Sequence, residues 1–345
     1  MDDMARLDSA FWLPDRNLYA DEITPGPPVV AGHPAFMWGC GIALSALNAA
    51  ARLNRTDYLP KVKNYITALD AYWVESKGIG GYEVLPKPNP ADRYYDDNEW
   101  IVLDLADSYD LTHDPQILMR AQETFRFVMS GSDDVLGGGI YWHEGDLKSK
   151  NTCSNAPALV GALRLFQITH DRSYLTTAYK LYAWTNAHLQ DTDGLFFDNI
   201  GVDGHVHKEK YSYNSALMIR ANALMYQLTH DKRCLVEAQR IARAAEAQWV
   251  KPDTGAIADD AAFAHLLSES FLFLYDQDHD SHHLTVVHRA LQYLHDNGRD
   301  AVGDYTSHWD RPLQTGDKIG LKTEAAAARA DLTAAPYFSD STAVK

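Results

Sequence analysis

Two kinds of helical pattern alternate along the chain. In the first, apolar residues return every three to four positions on one stripe. Leu59, Val62, Tyr65, Ile66, Leu69, Tyr72 and Trp73 form one such stripe. Tyr174, Leu175, Ala178, Leu181, Tyr182, Thr185 and Leu189 form a second, and Leu235, Ala238, Ile241, Ala242, Ala245 and Trp249 a third. In the other kind the helix is apolar nearly all round, as in 156–168 and 216–228. One-sided helices cover a core and all-round helices lie within it, so the pattern predicts an outer and an inner layer. The stretch 35–51, apolar except for Ser45 and Asn48, is marginal as a membrane span and reads as a buried inner helix.

The joints between the two kinds repeat as well. Leu111-Thr112-His113-Asp114, Ile168-Thr169-His170-Asp171 and Leu228-Thr229-His230-Asp231 are near copies, and Asn54-Arg55-Thr56-Asp57 is a weaker one. The aspartates step by 57, 57 and 60 residues (57 to 114, 114 to 171, 171 to 231), a period that marks a repeated supersecondary unit. Each aspartate is expected to cap the outer helix that follows. The clearest case is Asp114-Pro115, where proline takes the first helical position. The repeat spreads the motif's histidines apart, so they are not expected to converge on a metal.

Inner helices are predicted near 35–54, 96–112, 155–169, 214–229, 262–275 and 322–335. Outer helices are predicted near 58–76, 115–130, 173–189, 232–249 and 282–296, with segment 2–20 as the sixth, beside the last inner helix. No strand-rich segment is expected to interrupt the series. The expected fold class is all-α, an (α/α)6 toroid of six inner and six outer helices in a single domain, 1–345.

This topology separates short from long connections. Inner-to-outer turns are tight, whereas 77–95, 131–154, 190–213, 250–261 and 297–321 join outer to inner helices and emerge at the opposite end. Connections this long in a compact domain are usually functional. They carry Gly80-Gly81-Tyr82, Gly137-Gly138-Gly139-Ile140-Tyr141-Trp142, Asp193-Gly194-Leu195-Phe196-Phe197-Asp198 and Tyr305-Thr306-Ser307-His308-Trp309. Some of these rings must plug the mouth. A mouth of aromatic faces and carboxylates nevertheless suits carbohydrate, whose C–H faces stack on rings while its hydroxyls need acceptors. With 31 Lys+Arg against 47 Asp+Glu, the net charge of −16 leaves no basic footprint for nucleic acid or an anionic membrane. Gly137-Gly138-Gly139 lacks a following Lys-Ser/Thr, and no GxSxG elbow is present.

The strongest chemical signal is Tyr94-Tyr95-Asp96-Asp97-Asn98-Glu99-Trp100, where a long connection leads into an inner helix. Adjacent carboxylates repel, so one stays ionised while the other holds a proton near neutral pH, and a helix N-terminus favours the ionised member. A nucleophile and an acid is the division that glycoside hydrolysis needs. Aspartate is also common at helix starts as a cap. The chain has three other such pairs, Asp2-Asp3, Asp133-Asp134 and Asp259-Asp260, and the last also precedes an inner helix, which makes it the rival site.

Tyr-Tyr-Asp-Asp-Asn-x-Trp in this position resembles the signature of glycoside hydrolase family 76, the α-1,6-mannanases. The likeness continues through Lys150-Asn151-Thr152-Cys153-Ser154-Asn155-Ala156-Pro157, Asp193-Gly194-Leu195-Phe196-Phe197-Asp198 and Tyr211-Ser212-Tyr213-Asn214. The resemblance implies the same (α/α)6 fold, cleavage of α-1,6-linked mannosides in mannan or manno-oligosaccharides with retention, and no metal or other cofactor. It makes Asp96 the nucleophile and Asp97 the general acid/base. It also puts Asn155 and Asn214 against the sugar, with helix capping as their other role. Together with the aromatics of the mouth, the candidate substrate-binding set is Tyr94, Tyr95, Trp100, Tyr141, Trp142, Asn155, Phe197, Asp198, Tyr213 and Asn214.

The expected partner is therefore an α-mannoside carbohydrate, with no nucleic acid and no membrane. Cys40, Cys153 and Cys234 cannot all pair and read as small buried apolar residues. The first residues lack a basic start and a short apolar run, so the chain as written is expected in the cytoplasm, or secreted or surface-attached if a leader preceded it. Met37-Trp38-Gly39 only loosely resembles the family's N-terminal tryptophan region. Three rival functions remain. An N-acylglucosamine 2-epimerase-like isomerase would use mouth histidines, for which His143, His205 and His207 are available. A zinc toroid of the lanthionine-cyclase type would need Cys and His converging, with Cys153 the one cysteine near the end of a long connection. A non-catalytic glycan-binding protein would not need the carboxylate pair.

Overall fold

The structure is a computed structural model that describes residues 2–24, 30–86, 93–314 and 316–338. The tip of the 77–95 connection, 87–92, lies outside the described residues. Twelve α-helices form within them: α1 Asp2–Phe11, α2 Met37–Leu53, α3 Arg55–Ala68, α4 Tyr95–Thr112, α5 Pro115–Met129, α6 Thr152–Thr169, α7 Arg172–Leu189, α8 Ser212–Thr229, α9 Lys232–Trp249, α10 Ala261–Asp278, α11 Ser281–Asn297 and α12 Leu321–Phe338. The chain divides into two compact units, one of Met1–Leu69 with Glu246–Lys345 and the other of Asp70–Ala245.

In the unit of Asp70–Ala245, α4 packs on α5 and α6, and α6 packs on α7 and α8. Thirteen of the 18 residues of α6 are buried against five of the 18 in α7, so the even-numbered helix is inner and the odd-numbered one outer. In the other unit, α12 packs on α2 and α10, and α1 lies against α12.

The Thr-His-Asp joint works residue by residue. Thr112, Thr169 and Thr229 each donate to the carbonyl four residues back, at 2.8, 2.7 and 2.7 Å. Each hydroxyl also accepts the N–H of the aspartate two residues on, at 3.2 Å. His113, His170 and His230 take the left-handed conformation that ends the inner helix (φ 52 to 58°), a region where histidine is enriched. Asp114, Asp171 and Asp231 then cap the outer helix by accepting from Gln116, Ser173 and Arg233 N–H at 3.0, 2.9 and 3.0 Å. A further copy, Asp278-His279-Asp280, keeps the accepting half of this joint: Asp278 accepts the Asp280 N–H at 2.9 Å, His279 is left-handed, and Asp280 caps by accepting the His282 N–H at 2.9 Å. At the weak copy the cap is Asn54 rather than Asp57, since Asn54 Oδ1 accepts the Asp57 N–H at 3.2 Å.

Two expectations need correction. Segment 2–20 is not one helix: α1 ends at Phe11, and Trp12–Leu13 pairs back on Leu18–Tyr19. Pro14 disfavours the helical conformation at Leu13 and so stops the helix there. The long connections also contain strands. Trp73–Ser76 pairs with Ile79–Tyr82, where the apolar stripe alone would carry α3 onward. Tyr141–His143, Asp146–Asn151, Asn199–Gly201 and Val206–His207 make a four-stranded antiparallel sheet. Strands this short leave no alternating run in the sequence.

The fourth residue of an inner helix repeatedly fastens one of these connections. Asn98 accepts from Tyr82 N–H at 2.7 Å and donates to Tyr82 O and Tyr94 O at 2.9 and 2.8 Å. Asn155 does the same to Ile140 N–H (2.8 Å), Ile140 O (3.1 Å) and Asn151 O (2.8 Å). Ser215 accepts from Phe196 N–H at 3.2 Å, and Glu324 from Tyr305 N–H at 2.8 Å. Each clamp satisfies backbone groups that burial would otherwise leave unpaired.

Candidate active site

Asp96 and Asp97 are the second and third residues of α4, behind the N-cap Tyr94, whose side chain makes no capping bond. The capping explanation therefore does not cover them. It does cover the rival pair: Asp260 is the N-cap of α10, with its Oδ1 accepting from Ala262 N–H at 2.9 Å. Asp133, of another pair, is exposed and bonded to Lys150.

Asp96 is half-buried and held by two donors. Its Oδ1 accepts the Asp97 N–H at 2.9 Å and its Oδ2 accepts the Trp142 indole N–H at 2.9 Å. Burial outweighs these donors and raises the Asp96 pKa from 3.8 to about 6. Glu99, one turn further along α4, is fully enclosed at 1% exposure. Burial first, and then the charge of Asp96, push its carboxyl well above the usual range, with only the Ala158 amide acting against them. Burial thus favours the neutral form of Glu99 beneath Asp96.

The connections around the pair are fixed by buried cations. Arg93 donates Nε and Nη2 to the two Glu144 oxygens at 2.8 and 2.7 Å, and Nη1 to the carbonyls of Val74 and Ile79 at 3.3 and 3.1 Å. Lys150, with no exposed surface, donates to Asp133 Oδ1 (2.7 Å), Val135 O (2.8 Å) and Gly138 O (2.6 Å) and lies 4.5 Å from the Tyr141 ring. Gly139 sits beside them at φ 79°, and a Cβ there would lie 2.6 Å from Trp184, so only glycine fits. These bonds set the strand that carries Trp142.

The predicted sugar contacts divide in two. Tyr94, Trp142, Phe197 and Asp198 keep exposed surface. Tyr94 meets Trp142 edge-on at 4.9 Å, and Trp142 is 41% exposed. The Asp198 pKa is raised by burial, against a 2.7 Å bond from Asn199. The others are turned inward. Tyr95 stacks on Phe127 at 5.0 Å, and Trp100 is buried in the α4 core face. Tyr141 donates its hydroxyl to Asp133 at 2.9 Å and supports Lys150. Asn155 has no exposed surface and its amide is committed to Ile140 and Asn151, and the N-cap of α6 is Asn151 instead. Asn214 is likewise fully buried inside α8, whose N-cap is Tyr211. Tyr213 is buried, at 8% exposure.

Sequence reasoning missed Glu99, Lys150 and Arg93. The first two stand within the quoted motifs, and a charged residue at the start of an otherwise apolar helix was the available signal. His205 and His207 sit exposed on a hairpin, and His143 packs on Tyr94 at 4.4 Å. Among the described residues no group of three or more His, Cys, Asp or Glu is placed to hold a metal ion, and no helix is long and apolar enough to cross a membrane.

The sequence model of glycosyl hydrolase family 76 matches residues 16–327. The chain belongs to that family. A family 76 α-mannanase structure from Bacteroides thetaiotaomicron is similar at 31% identity, with 99% of this chain and 95% of that one covered and a TM-score of 0.92. An α-1,6-mannanase of Salegentibacter sp., an inactive variant with two consecutive aspartates replaced by asparagine, in complex with α-1,6-mannotriose, matches at 23% identity. That match has a TM-score of 0.82 and covers 97% and 98% of the two chains. A mannan endo-1,6-alpha-mannosidase of Saccharomyces cerevisiae is 29% identical over 128 residues, 34% of this chain and 28% of the yeast protein's length. The fold class of this family 76 protein is thus the all-α (α/α)6 toroid, and it is a glycoside hydrolase.

Proposed function

We propose that this family 76 protein hydrolyses α-1,6-mannosidic linkages with net retention, Asp96 acting as nucleophile and Asp97 as general acid/base. The observation that carries the reading is the carboxylate pair inside the first turn of α4, with each Asp96 oxygen held by an N–H donor. A pKa of about 6 leaves Asp96 ionised at neutral pH yet less stabilised than an exposed carboxylate, which suits a nucleophile. In the first step an Asp96 oxygen attacks the mannosyl C1, the glycosidic C–O bond breaks, and Asp97 gives its proton to the departing oxygen. In the second, Asp97 takes a proton from water, the water oxygen attacks C1, and the Asp96 ester opens. The half-exposed rings of Tyr94 and Trp142 offer faces for the sugar's C–H groups. The mannotriose-bound relative, inactivated at consecutive aspartates, and the yeast endo-1,6-alpha-mannosidase both support an α-1,6-mannoside as substrate.

The test is azide rescue on an aryl α-mannoside. Asp96→Ala should lose turnover of all substrates, and azide can yield only the inverted glycosyl azide. Asp97→Ala should keep activity on good leaving groups, and azide should give the retained product. Exchanged stereochemistry would exchange the roles. Activity on free sugars alone, with α-1,6-mannobiose and longer oligomers untouched, would favour an isomerase.

A further inference from the structure

A recess of about 300 Å³ lies in the unit of Met1–Leu69 with Glu246–Lys345, and its lining shares no residue with the carboxylate pair. The hairpin that follows α1 builds one wall. Trp12 opens its first strand and pairs with Tyr19, and the two rings meet edge to face with centres 5.0 Å apart. Asn17 stands in the turn between the strands, in the left-handed conformation (φ 54°) that asparagine tolerates. Lys61 and Asn64, three residues apart on one face of α3, build another wall. Leu47 of α2, 1% exposed, closes the floor.

The charges of the recess cancel. Asp8 of α1 brings its one carboxylate, and both oxygens are engaged: the Tyr19 hydroxyl donates to Oδ1 at 2.6 Å and the Lys61 ammonium to Oδ2. A phosphate would meet an ammonium already neutralised, and a cation a carboxylate already neutralised. The groups left over are neutral. Among the described residues, the Trp12 indole N–H and the side-chain amides of Asn17 and Asn64 make no hydrogen bond within the chain. Two amides that donate and accept therefore stand beside a half-exposed indole ring. A neutral ring with hydroxyls on its edge and C–H groups on its faces suits that set, and a volume at the small end for ligand sites suits one such ring rather than an extended cofactor. We propose that the recess is a second, non-catalytic carbohydrate site, which stacks one sugar unit of a glycan on Trp12 and bonds its hydroxyls through Asn17 and Asn64. That the sugar is an α-mannoside rests on the proposed function, whereas the site rests on the recess alone. A hold on the glycan where no carboxylate pair stands lengthens residence on a polymer without touching the chemistry.

The experiment is fluorine NMR of the full chain labelled with fluorotryptophan, titrated with methyl α-mannoside and with α-1,6-mannotriose. The resonance missing from Trp12→Phe is that of Trp12. It should move saturably with either sugar, in wild type and in Asp96→Ala alike, and stay still with inorganic phosphate. Asn64→Ala, and Asn17→Gly, which keeps the left-handed turn, should each weaken the binding about 3- to 10-fold for the hydrogen bonds lost. Asn64→Trp, on the exposed face of α3, should fill the recess and abolish the shift. All three variants should keep wild-type kcat/KM on an aryl α-mannoside, which shows that they fold. A Trp12 signal that never moves, or that moves equally in Asn64→Trp, overturns the site, and one that answers phosphate but not sugar overturns the ligand class. The two readings fail separately. Mannotriose cleaved while the Trp12 signal stays still sinks the second site alone, and a Trp12 signal that moves while wild type leaves mannotriose intact sinks the proposed function alone.

Discussion

Replacing Asp96 with asparagine should abolish turnover and, at neutral pH, make the protein more stable. A carboxyl whose pKa rises from 3.8 to about 6 on folding binds its proton more tightly in the native state than in the unfolded chain. The sign follows from that. Below about pH 4 both states are protonated and nothing is lost, between about 4 and 6 ionisation progressively penalises the native state, and above that range the penalty is complete. A displacement of about two units is worth ~3 kcal/mol at ~1.4 kcal/mol per unit. Asparagine removes this cost. It can still accept the Asp97 N–H through its carbonyl but not every other donor, and one weakened hydrogen bond returns about 1 kcal/mol. The net gain at pH 7 is then about 1–3 kcal/mol, or a Tm higher by roughly 1–4 °C at an unfolding entropy of ~2.1 cal/mol/K per residue. Calorimetric scans of wild type and Asp96→Asn at pH 4, 5, 6 and 7 would test it. The Tm values should coincide at the acid end and separate as pH rises. A variant less stable at pH 7, or a gap that does not change with pH, would refute the reasoning.

Three other outcomes follow from the same geometry. Wild-type kcat/KM on α-1,6-mannobiose should fall as pH drops through about 6, where Asp96 gains its proton; a profile flat to pH 4 contradicts this. Lys150→Met removes one ammonium from three acceptors, and with exposed Asp133 discounted the loss should be about 2–3 kcal/mol by melting. Because that ammonium sets the strand bearing Trp142, kcat/KM should fall with it, and an unchanged melt and rate would show the pin to be idle. Asn155→Ala leaves the Ile140 amide and carbonyl buried and unpaired, so stability should drop by about 2–3 kcal/mol; a rise in KM at unchanged stability would instead mean the side chain meets the sugar.

The helices were legible because two independent signals agree on them. All-round against one-sided apolar patterning separates α6 from α7, and the Thr-His-Asp joint marks the turn between them with one residue for each local task. The pair at Asp96 and Asp97 stood out for a related reason: a motif resemblance singled it out from chemically similar pairs. The capping geometry that separates it physically from Asp260 is visible only in three dimensions. Strands two to six residues long carry no period to detect, so the sheet that seats Trp142 had no signature in the sequence.

The role of the fourth position was hidden by a register error of two or three residues. The expected starts of the third and fourth inner helices, 155 and 214, fall inside α6 and α8, which begin at Thr152 and Ser212. Neither helix has a side-chain N-cap, and Thr, Cys and Ser are poor helix formers, so the first turns of both helices look like loop. With the starts placed late, Cys153 and Tyr213 fall in connections, and their equivalence to Asp96 disappears. With the starts restored, counting two residues into α4, α6 and α8 gives Asp96, Cys153 and Tyr213 in turn. Counting four gives Asn98, Asn155 and Ser215, the residues that fasten the connections. The repeat therefore encodes a local role as well as helices: the fourth position of an inner helix fastens a connection against its first turn. An asparagine in a family motif is then assigned by its place in the turn: Asn155, fourth in α6, clamps Ile140 as Asn98, fourth in α4, clamps Tyr82.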